Sequence, residues 1–386
     1  MGDIIKYFSY YSRNPDQKRS AVLAAMNKMD YICDALEASG REVVIISAST
    51  NMDKQNAAAY CIDQITEKTC CINFACGPCN GRWRRYLNRC RIHWHILLEL
   101  MKVKRDEKVI VYHSLGYMNL VNLAHKLKKF HLILECEEIY SDVIGNKELR
   151  AKEIRFMQSA DSYILSSRLL SEIVNPCHKP EVVIHGTYGV EADRKCDIFS
   201  QVLQQSEESC IHCVYAGTMD PRKGGAVAAA AAAEFLPENY HIHILGFGSE
   251  KQIQEMKERI ADISSRAKAR VTYDGLLSGE EYIRFIQSCD IGLSTQNPDA
   301  AFNATSFPSK VLSYLANGLR VVSIRIPAIE QSAVGNALYY YDTQTPEEIA
   351  KAILSVDMTQ KYDSRQLVAQ LSEKFKMELN ALVDRC

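Results

Sequence analysis

Two turns rich in glycine, in the second half of the chain, carry lysines at positions suited to an anion. Lys223 follows an apolar run that ends at Gly217, and Lys310 falls in the first turn of a helix predicted to begin near Ser309. A cation at a helix N-terminus opposes the helix dipole unless an anion is bound there, and the free backbone N–H groups of that turn attract anions. The two turns therefore predict a phosphate or diphosphate held from two sides.

Five short motifs in the same half occur in an order that resembles the C-terminal half of retaining group 4 glycosyltransferases, in particular those of bacterial polysaccharide assembly. They lie at 214–225, 242–250, 271–282, 290–294 and 305–323. The resemblance implies an α/β chain of the GT-B type, with two Rossmann-like domains that face a central cleft. It also implies that a nucleotide-diphosphate sugar binds to the second domain.

The resemblance further implies which residues contact this donor. The implied donor-binding positions are Gly217, Thr218, Lys223, Gly246, Gly248, Leu277, Glu281, Thr305, Ser306, Phe307, Lys310 and Ser313. Group 4 enzymes usually have two glutamates in the last motif, whereas Thr305 and Ser313 occupy those positions here. Neither side chain ionises, although both hydroxyls donate and accept hydrogen bonds. This departure bears on the identity of the donor more than on the fold.

Polar residues also follow two predicted strands of the first half. His113 ends the apolar run that starts at Val109, and Glu138 lies in an acidic stretch after the next run. Ligands of open α/β sheets sit outside the carboxyl ends of the strands, so both residues are candidate catalytic or acceptor contacts. The resemblance implies that His113 lies near the transferred sugar. The alternatives are a histidine that only caps its strand and a solvated acidic loop around Glu138.

Residues 82–105 combine a basic helix start with an apolar stripe. Trp83, Leu87, Cys90, Trp94, Leu97, Leu98 and Met101 recur at steps of three and four, and Arg82, Arg84, Arg85, Arg89 and Arg91 crowd the first turns. Arginines beside tryptophans are typical of helices that dock on an anionic membrane surface. The alternative is an ordinary helix that buries its stripe against the sheet, which Ile92 and Ile96 on the other side also favour.

Other charged and sulfur-containing residues have weaker patterns. Arg13 and Arg19, in the polar loop after the first strand, could hold an anionic acceptor or be ordinary surface arginines. The cysteines within 70–79 include a Cys-Gly-Pro-Cys sequence, but neither a thioredoxin context nor paired zinc ligands are clear. A redox or metal role and a loop of free thiols both stay open for this cluster.

The length and the alternation of the chain predict two α/β domains. Apolar runs alternate with helical patterns along 386 residues, which favours parallel sheets covered by helices. We expect an acceptor-side domain over 1–188, a donor domain over 189–365, and a last helix over 366–386 that packs back on the first domain. The net charge of −1 argues against nucleic acid as a partner. Without an 18-residue apolar run or a secretory signal, we expect a cytoplasmic protein, peripheral on the inner face of the membrane.

The leading hypothesis is a retaining glycosyltransferase that moves a sugar from a nucleotide-diphosphate donor, with UDP favoured, to a glycan or lipid-linked acceptor. Lys223 and Lys310 would neutralise the departing diphosphate, so we expect no metal or other cofactor. Two alternatives remain, a sugar-nucleotide epimerase and a non-catalytic scaffold subunit that binds sugar nucleotides. A dinucleotide dehydrogenase is disfavoured because no Gly-x-Gly-x-x-Gly turn follows the first strand.

Overall fold

A computed structural model describes residues 3–194, 210–220, 225–298 and 307–385 of the chain. They form two compact units. Unit 1 contains the described residues up to Thr187 and those from Glu373 onward, and unit 2 contains those from Tyr188 to Ser372. Each unit is built on one largely or wholly parallel sheet, as the alternation of apolar runs and helical patterns predicts.

Unit 1 has an eight-stranded sheet. Its strands are β1 (Ile4–Ser9), β2 (Glu42–Ser47), β3 (Cys61–Gln64), β4 (Thr69–Asn73), β5 (Lys108–Tyr112), β6 (His131–Cys136), β7 (Ser162–Leu165) and β8 (Glu181–Val183). Its helices are α1 (Leu23–Ala38), α2 (Arg82–Met101), α3 (Met118–Lys128), α4 (Tyr140–Val143), α5 (Lys147–Met157) and α6 (Arg168–Val174). The strand order is β3-β4-β2-β1-β5-β6-β7-β8, and only β3 pairs in the antiparallel direction.

The central strands of unit 1 are apolar because both of their faces are covered. Strand β6 is buried from Leu132 to Cys136, and Val109, Ile110 and Val111 of β5 are fully buried. Near-continuous apolar runs of this kind are typical of parallel strands between two layers of helices. The strand order reverses between β1 and β5, and such a reversal opens a crevice at the carboxyl ends of the two strands.

Unit 2 has a six-stranded parallel sheet in the order β11-β10-β9-β12-β13-β14. Its strands are β9 (Ile211–Thr218), β10 (Tyr240–Phe247), β11 (Arg270–Gly275), β12 (Ile291–Ser294), β13 (Arg320–Ile324) and β14 (Tyr339–Tyr341). Its helices are α7 (Ala226–Ala231), α8 (Glu250–Ser264), α9 (Gly279–Gln287), α10 (Ser309–Ala316), α11 (Pro327–Glu330) and α12 (Pro346–Leu354), with 3-10 turns at Ala232–Phe235 and Gly335–Ala337. Here the strand order reverses between β9 and β12.

The last helix, α13 (Arg365–Arg385), begins in unit 2 and ends in unit 1. Within unit 1, Phe375 stacks on Tyr31 with ring centroids 5.6 Å apart. The Arg41 guanidinium donates to Asn380 at 2.8 Å and also pairs with Asp384. These contacts fix the end of the chain against α1 and the segment before β2. Among the described residues, no helix is both long enough and apolar enough to cross a bilayer.

Candidate functional site

The carboxyl ends of β9 and β10 approach each other closely in unit 2. A Cβ on Gly246, whose φ is 143°, would lie 1.7 Å from the carbonyl oxygen of Gly217, so only glycine fits there. A Cβ on Gly217 would lie 3.2 Å from Lys310 Nζ. The structure therefore brings together three predicted donor-binding residues, one from each of β9, β10 and α10, beside the point where the strand order reverses.

Lys310 is a half-buried cation that has no carboxylate partner within the described residues. Its Nζ lies 4.0 Å from the centroid of the Tyr215 ring, an arrangement in which the ring face attracts the ammonium. Burial lowers the pKa of Lys310 to about 7, because loss of solvent disfavours the charged form. Helix α10 also has no side-chain cap on its first turn within the described residues. The ammonium and this helix N-terminus are thus arranged for an anion.

Tyr314 and Ser313 hold α10 in this position. The hydroxyl of Tyr314 accepts a hydrogen bond from Ala216 N of β9 at 2.7 Å. A Cβ on Gly292 would lie 2.3 Å from the Tyr314 ring, so β12 packs directly on the same side chain. Ser313 Oγ lies 3.2 Å from the hydroxyl of Tyr282 on α9. Tyr314 therefore ties α10 to β9 and β12, the two strands that flank the reversal. This anchoring fixes the position of Lys310.

The remaining donor-site predictions lie at or near the same sheet edge, or outside the described residues. Thr218 ends β9 and accepts a hydrogen bond from Asp220 N at 3.1 Å. Gly248 lies just beyond β10, where a Cβ would come within 3.0 Å of Met219. Leu277 is half-buried, Glu281 is exposed in the first turn of α9, and Phe307 is buried just before α10. Lys223, Thr305 and Ser306 lie outside the described residues.

His113 lies at the carboxyl end of β5, but it is fully buried. Its ring stacks on Tyr140 and Phe156, with centroids 5.3 and 6.1 Å away. Its Nε2 lies 3.3 Å from Glu153 Oε1, yet neither ring nitrogen has a hydrogen-bond partner among the described residues. Burial lowers the pKa of His113 to about 3, so the imidazole is neutral at pH 7. A catalytic role for His113 stays a prediction.

The acidic stretch after β6 contains a buried charge network that the sequence did not indicate. Lys28 Nζ, from α1, lies 2.5 Å from Glu137 Oε1 and donates to the Ile184 carbonyl at 3.0 Å. Glu135 is fully buried against the hydroxyl of Tyr7. Burial is the main cause that raises the pKa of Glu135, and the negative charge of the Glu137 carboxylate raises it further. Glu138 itself is half-buried and has a contact of its own, and its predicted role stays a prediction.

Arg13 and Arg19 are both occupied by contacts within unit 1. Arg13 pairs with Asp30 at 2.5 Å. Arg19 donates to the backbone carbonyls of Phe74 at 3.0 Å and Ala59 at 2.8 Å. A guanidinium that bridges loop carbonyls in this way positions the loops themselves. An acceptor role for either arginine stays a prediction, and the structure gives it no further support.

A different set of arginines lines an open cavity at the carboxyl ends of β1 and β2. The cavity has a volume of about 430 Å³ and is lined by Tyr10, Ala48, Thr50, Asn51, Met52, Arg82, Arg85, Tyr86, Asn88, Arg89 and His93. No carboxylate occurs among these residues, so three guanidiniums face a common space. All three arginines were predicted to belong to a basic helix start, but the sequence pattern did not connect them with Tyr10. The sequence did contain one clue to this cavity, namely a run of arginines at the start of a helix. The order of the strands places that helix start opposite the end of a strand.

Helix α2 exposes the stripe that begins at Trp83. Trp83 and Trp94 are 77% and 60% exposed, and Leu87 is 59% exposed. The helix instead buries Asn88, Ile92, Ile96 and Leu100. Arg82, Arg84, Arg85, Arg89 and Arg91 are all exposed on the same helix. The alternative in which the tryptophan stripe packs against the sheet is therefore wrong, and α2 presents apolar and basic side chains to its surroundings.

The cysteines at 70–79 are free thiols in different local environments. Cys79 Sγ donates to the Met52 carbonyl at 3.0 Å, whereas Cys76 Sγ accepts from Asn51 N at 3.2 Å. Cys71 is also buried, and Cys70 is partly exposed. Within the described part of the chain these thiols form no group with metal-ligand spacing. Cys70 and Cys71 lie in β4 rather than in a loop, and a redox or metal role for the cluster stays open.

Comparisons with known proteins agree with the geometry of unit 2. A protein-family profile described as glycosyl transferases group 1 matches residues 211–356. A search of curated proteins finds no match to this chain. The matched segment starts with β9 and includes all six strands of unit 2, so the resemblance covers the sheet edge that carries Gly217, Gly246 and Lys310.

Solved structures align with the chain over nearly its whole length. An E. coli structure described as trehalose-6-phosphate bound with UDP-2-fluoro glucose has a TM-score of 0.67 and 10% identity, covering 99% of this chain and 98% of that one. The UDP-forming α,α-trehalose-phosphate synthase of Burkholderia xenovorans with glucose-6-phosphate has a TM-score of 0.66 and 11% identity, covering 100% and 99%. Sucrose-phosphate synthase of Thermosynechococcus elongatus has a TM-score of 0.64 and 12% identity, covering 98% and 94%.

At sequence identities this low, the structural similarity shows the fold of this chain and nothing about its activity. The two α/β units, each on its own sheet, match these structures over both sheets, which confirms the predicted fold class. The chain therefore has the GT-B fold, and most of its second unit is similar to the group 1 glycosyl transferases.

Proposed function

We propose that the protein is a retaining glycosyltransferase that uses a nucleotide-diphosphate sugar, with UDP as the favoured nucleotide. The observation that carries the proposal is the half-buried Lys310 ammonium beside Gly217, which lacks a carboxylate partner within the described residues. A diphosphate supplies the missing negative charge. The match of residues 211–356 to group 1 glycosyl transferases supports the same assignment, and so does the UDP-sugar named in the E. coli structure.

In the proposed reaction, Lys310 stabilises the negative charge that develops on the departing diphosphate. Because the ammonium is desolvated and held in place by the fold, its interaction with that charge is stronger than in water and needs little reorganisation. The first turn of α10 adds backbone N–H donors. With retention, an oxygen of the departing phosphate takes the proton of the acceptor hydroxyl, so the proposal needs no general base and assigns no proton transfer to the neutral His113.

The acceptor that we propose is a glycan or lipid-linked sugar that carries a phosphate group. The cavity lined by Arg82, Arg85 and Arg89 supports this choice, because guanidiniums bind phosphate oxygens in a bidentate manner. The glucose-6-phosphate named in the B. xenovorans structure is a sugar that carries a phosphate group, as the proposed acceptor does. Assays with a free sugar phosphate and with a lipid-linked sugar diphosphate distinguish the two sources of phosphate.

For the lipid-linked case, we propose that α2 docks on an anionic membrane surface. The exposed Trp83 and Trp94 offer apolar rings for the interfacial region, and the neighbouring arginines attract acidic headgroups at about 1 kcal/mol per cation. Replacing Arg82, Arg84, Arg85 and Arg89 by glutamine should abolish sedimentation with phosphatidylserine vesicles. Replacing Lys251, Lys257 and Arg259, which are exposed on α8, should leave it unchanged. If the wild-type protein ignores such vesicles at low salt, α2 has another partner.

The donor assignment is tested by thermal-shift and calorimetric screens of nucleotide sugars against the full chain. A donor at a hundred times its dissociation constant should add about 2.7 kcal/mol to the free energy of unfolding. Incubation of the bound donor with and without acceptors then separates the alternatives. Isomerised donor without acceptor indicates an epimerase, and binding without any turnover indicates a scaffold. A flat response to every nucleotide sugar would overturn the proposal.

A further inference from the structure

Three histidines cluster on one face of the unit 2 sheet, near the amino ends of β9 and β10. His212 pairs directly with His241 across the two parallel strands, and His243 lies two residues further along β10, on the same face. Ring nitrogens of all three lie within 4.8 Å of one another. In the part of the chain that the structure describes, no other group of three histidine, cysteine or acidic side chains has such spacing.

Hydrogen bonds orient these rings as metal-binding histidines are oriented. His243 Nδ1 lies 3.2 Å from Asp274 Oδ2, and His243 Nε2 lies 3.0 Å from His212 Nδ1. A carboxylate accepts only, so Asp274 receives the Nδ1–H and leaves the Nε2 lone pair of His243 facing the cluster. A carboxylate behind a histidine is the usual second partner of a histidine bound to zinc.

The rings are also held from other sides. His241 Nε2 lies 3.0 Å from Thr272 Oγ1. Phe285 of α9 packs edge-on against the His243 ring, with centroids 5.2 Å apart. His243 is buried, whereas His212 and His241 are partly exposed. The cluster therefore has one buried side that fixes its geometry and one side through which an ion can enter.

We propose that His212, His241 and His243 bind one divalent transition-metal ion, with Zn²⁺ as the ion that best fits the donor set. Zinc–imidazole bonds are about 2.0–2.1 Å long and the geometry is tetrahedral, so bound nitrogens lie roughly 3.4 Å apart. Small side-chain rotations bring nitrogens within 4.8 Å to that spacing. Imidazole ligands suit zinc, copper and nickel rather than magnesium or calcium. Asp274 positions His243, and water completes the coordination.

This site goes beyond the proposed glycosyl transfer and does not depend on it. The histidines lie toward the amino ends of β9 and β10, whereas Gly217 and Gly246 lie at the carboxyl ends of the same strands. A bound ion cross-links the two strands from the end opposite Lys310. It should therefore raise the thermal stability of unit 2, and it takes no part in neutralising the diphosphate.

The test titrates the full chain, freed of metal by a chelator, with Zn²⁺ by calorimetry and with Co²⁺ by absorption spectroscopy. We expect one equivalent of either ion and a Co²⁺ spectrum without a thiolate charge-transfer band, since the ligands are nitrogens. His241→Gln should lose this equivalent. Asp274→Asn should keep it with about 10- to 100-fold weaker affinity, because an outer partner orients a ligand without binding the ion.

His125→Gln is the matched control, since His125 lies in unit 1 and also has a carboxylate beside its ring, with Nε2 2.9 Å from Asp161 Oδ2. It should bind both ions as the wild type does. The proposal is overturned if the wild type binds no stoichiometric ion, if His241→Gln binds as tightly as the wild type, or if the Co²⁺ spectrum shows thiolate ligation. Should His241→Gln fail to fold, unchanged affinity in Asp274→Asn overturns it equally.

Discussion

Near the carboxyl ends of the two sheets, Glu153 and Lys28 of unit 1 have partners within the chain, whereas Lys310 of unit 2 has no carboxylate partner among the described residues. In unit 1 the Glu153 carboxylate accepts from Tyr140 N at 2.8 Å and from Ser141 N at 2.9 Å. Lys28 pairs with Glu137 at 2.5 Å. In the described part of unit 2, Lys310 has an aromatic ring beside it and no carboxylate.

The difference separates a structural role from a binding role. A buried charge costs several kcal/mol unless a partner offsets its desolvation. Where the partner is part of the chain, as for Lys28, the charge holds the fold together. Where the described residues offer no carboxylate, as for the half-buried Lys310, an anionic ligand would offset the desolvation of the ammonium. Substitution of the lysine in unit 1 should therefore change the stability of the fold, whereas substitution of the lysine in unit 2 should change ligand affinity.

Lys28→Met should lower the free energy of unfolding by about 3 kcal/mol, because it leaves the Glu137 and Glu135 carboxyls without their cation. Urea unfolding measures the change, and Lys102→Met, at an exposed pair with Glu99, is the control with an effect below about 1 kcal/mol. Donor affinity should be unchanged. A loss below about 1 kcal/mol in Lys28→Met as well would mean that the buried network contributes no more than a surface pair.

Lys310→Met should show the opposite pattern. The methionine keeps the length of the side chain and removes the desolvated charge, so the melting temperature should stay the same or rise. Affinity for the nucleotide-sugar donor should fall roughly 10- to 150-fold, the equivalent of about 1.5–3 kcal/mol for a charge-assisted contact. Calorimetry measures the affinity.

Lys251→Met serves as the control for this substitution, because Lys251 is exposed on a helix of the same unit. It should bind the donor as the wild type does. Wild-type affinity in Lys310→Met would remove Lys310 from the binding site. A loss of stability without loss of affinity would assign to Lys310 the structural role that Lys28 has.

The sequence predicted the placement of Lys310 because that placement depends on local patterns. A polar loop, an amphipathic helix and a glycine stop predicted a helix from Ser309, and the structure has α10 at Ser309–Ala316. The rule that ligands gather at the carboxyl ends of parallel strands then brings Lys310 and Gly217 to one edge. The Tyr314 hydroxyl that fixes this contact was missed, because a tyrosine in an apolar helix face looks like any core residue.

The sequence could not decide burial where two tertiary arrangements were equally compatible with the pattern. Helix α2 has apolar residues on two sides, and only packing selects Ile92 and Ile96 over Trp83 and Trp94. His113 lies at its predicted strand end, but the α4 and α5 side chains that cover it come from more than 25 residues later in the sequence. The same holds for the histidine cluster, which arises from register between β9 and β10.

The smallest expected effect is a pH dependence of donor binding that is specific to Lys310. Its pKa is about 7 in the free protein, and a bound diphosphate should raise that pKa because an opposite charge favours the protonated form. Between the two pKa values, binding takes up a proton, so affinity falls as the pH rises. From about pH 6.5 to about 8.5 the protonated fraction of the free protein drops from roughly three quarters to about 3%, and affinity should fall roughly 10- to 30-fold.

Lys310→Arg is the variant that isolates this effect, because a guanidinium stays protonated throughout the range. Its donor affinity should be nearly independent of pH, even if the fork of the arginine binds the diphosphate less well at pH 6.5. Calorimetry in two buffers of different ionisation enthalpy counts the protons taken up, and we expect up to one for the wild type and none for the variant. Parallel pH profiles for the two proteins would place the titrating group elsewhere. Lys310 would then lose the feature that sets it apart from Lys28, namely a titrating charge without a carboxylate partner in the described part of the chain.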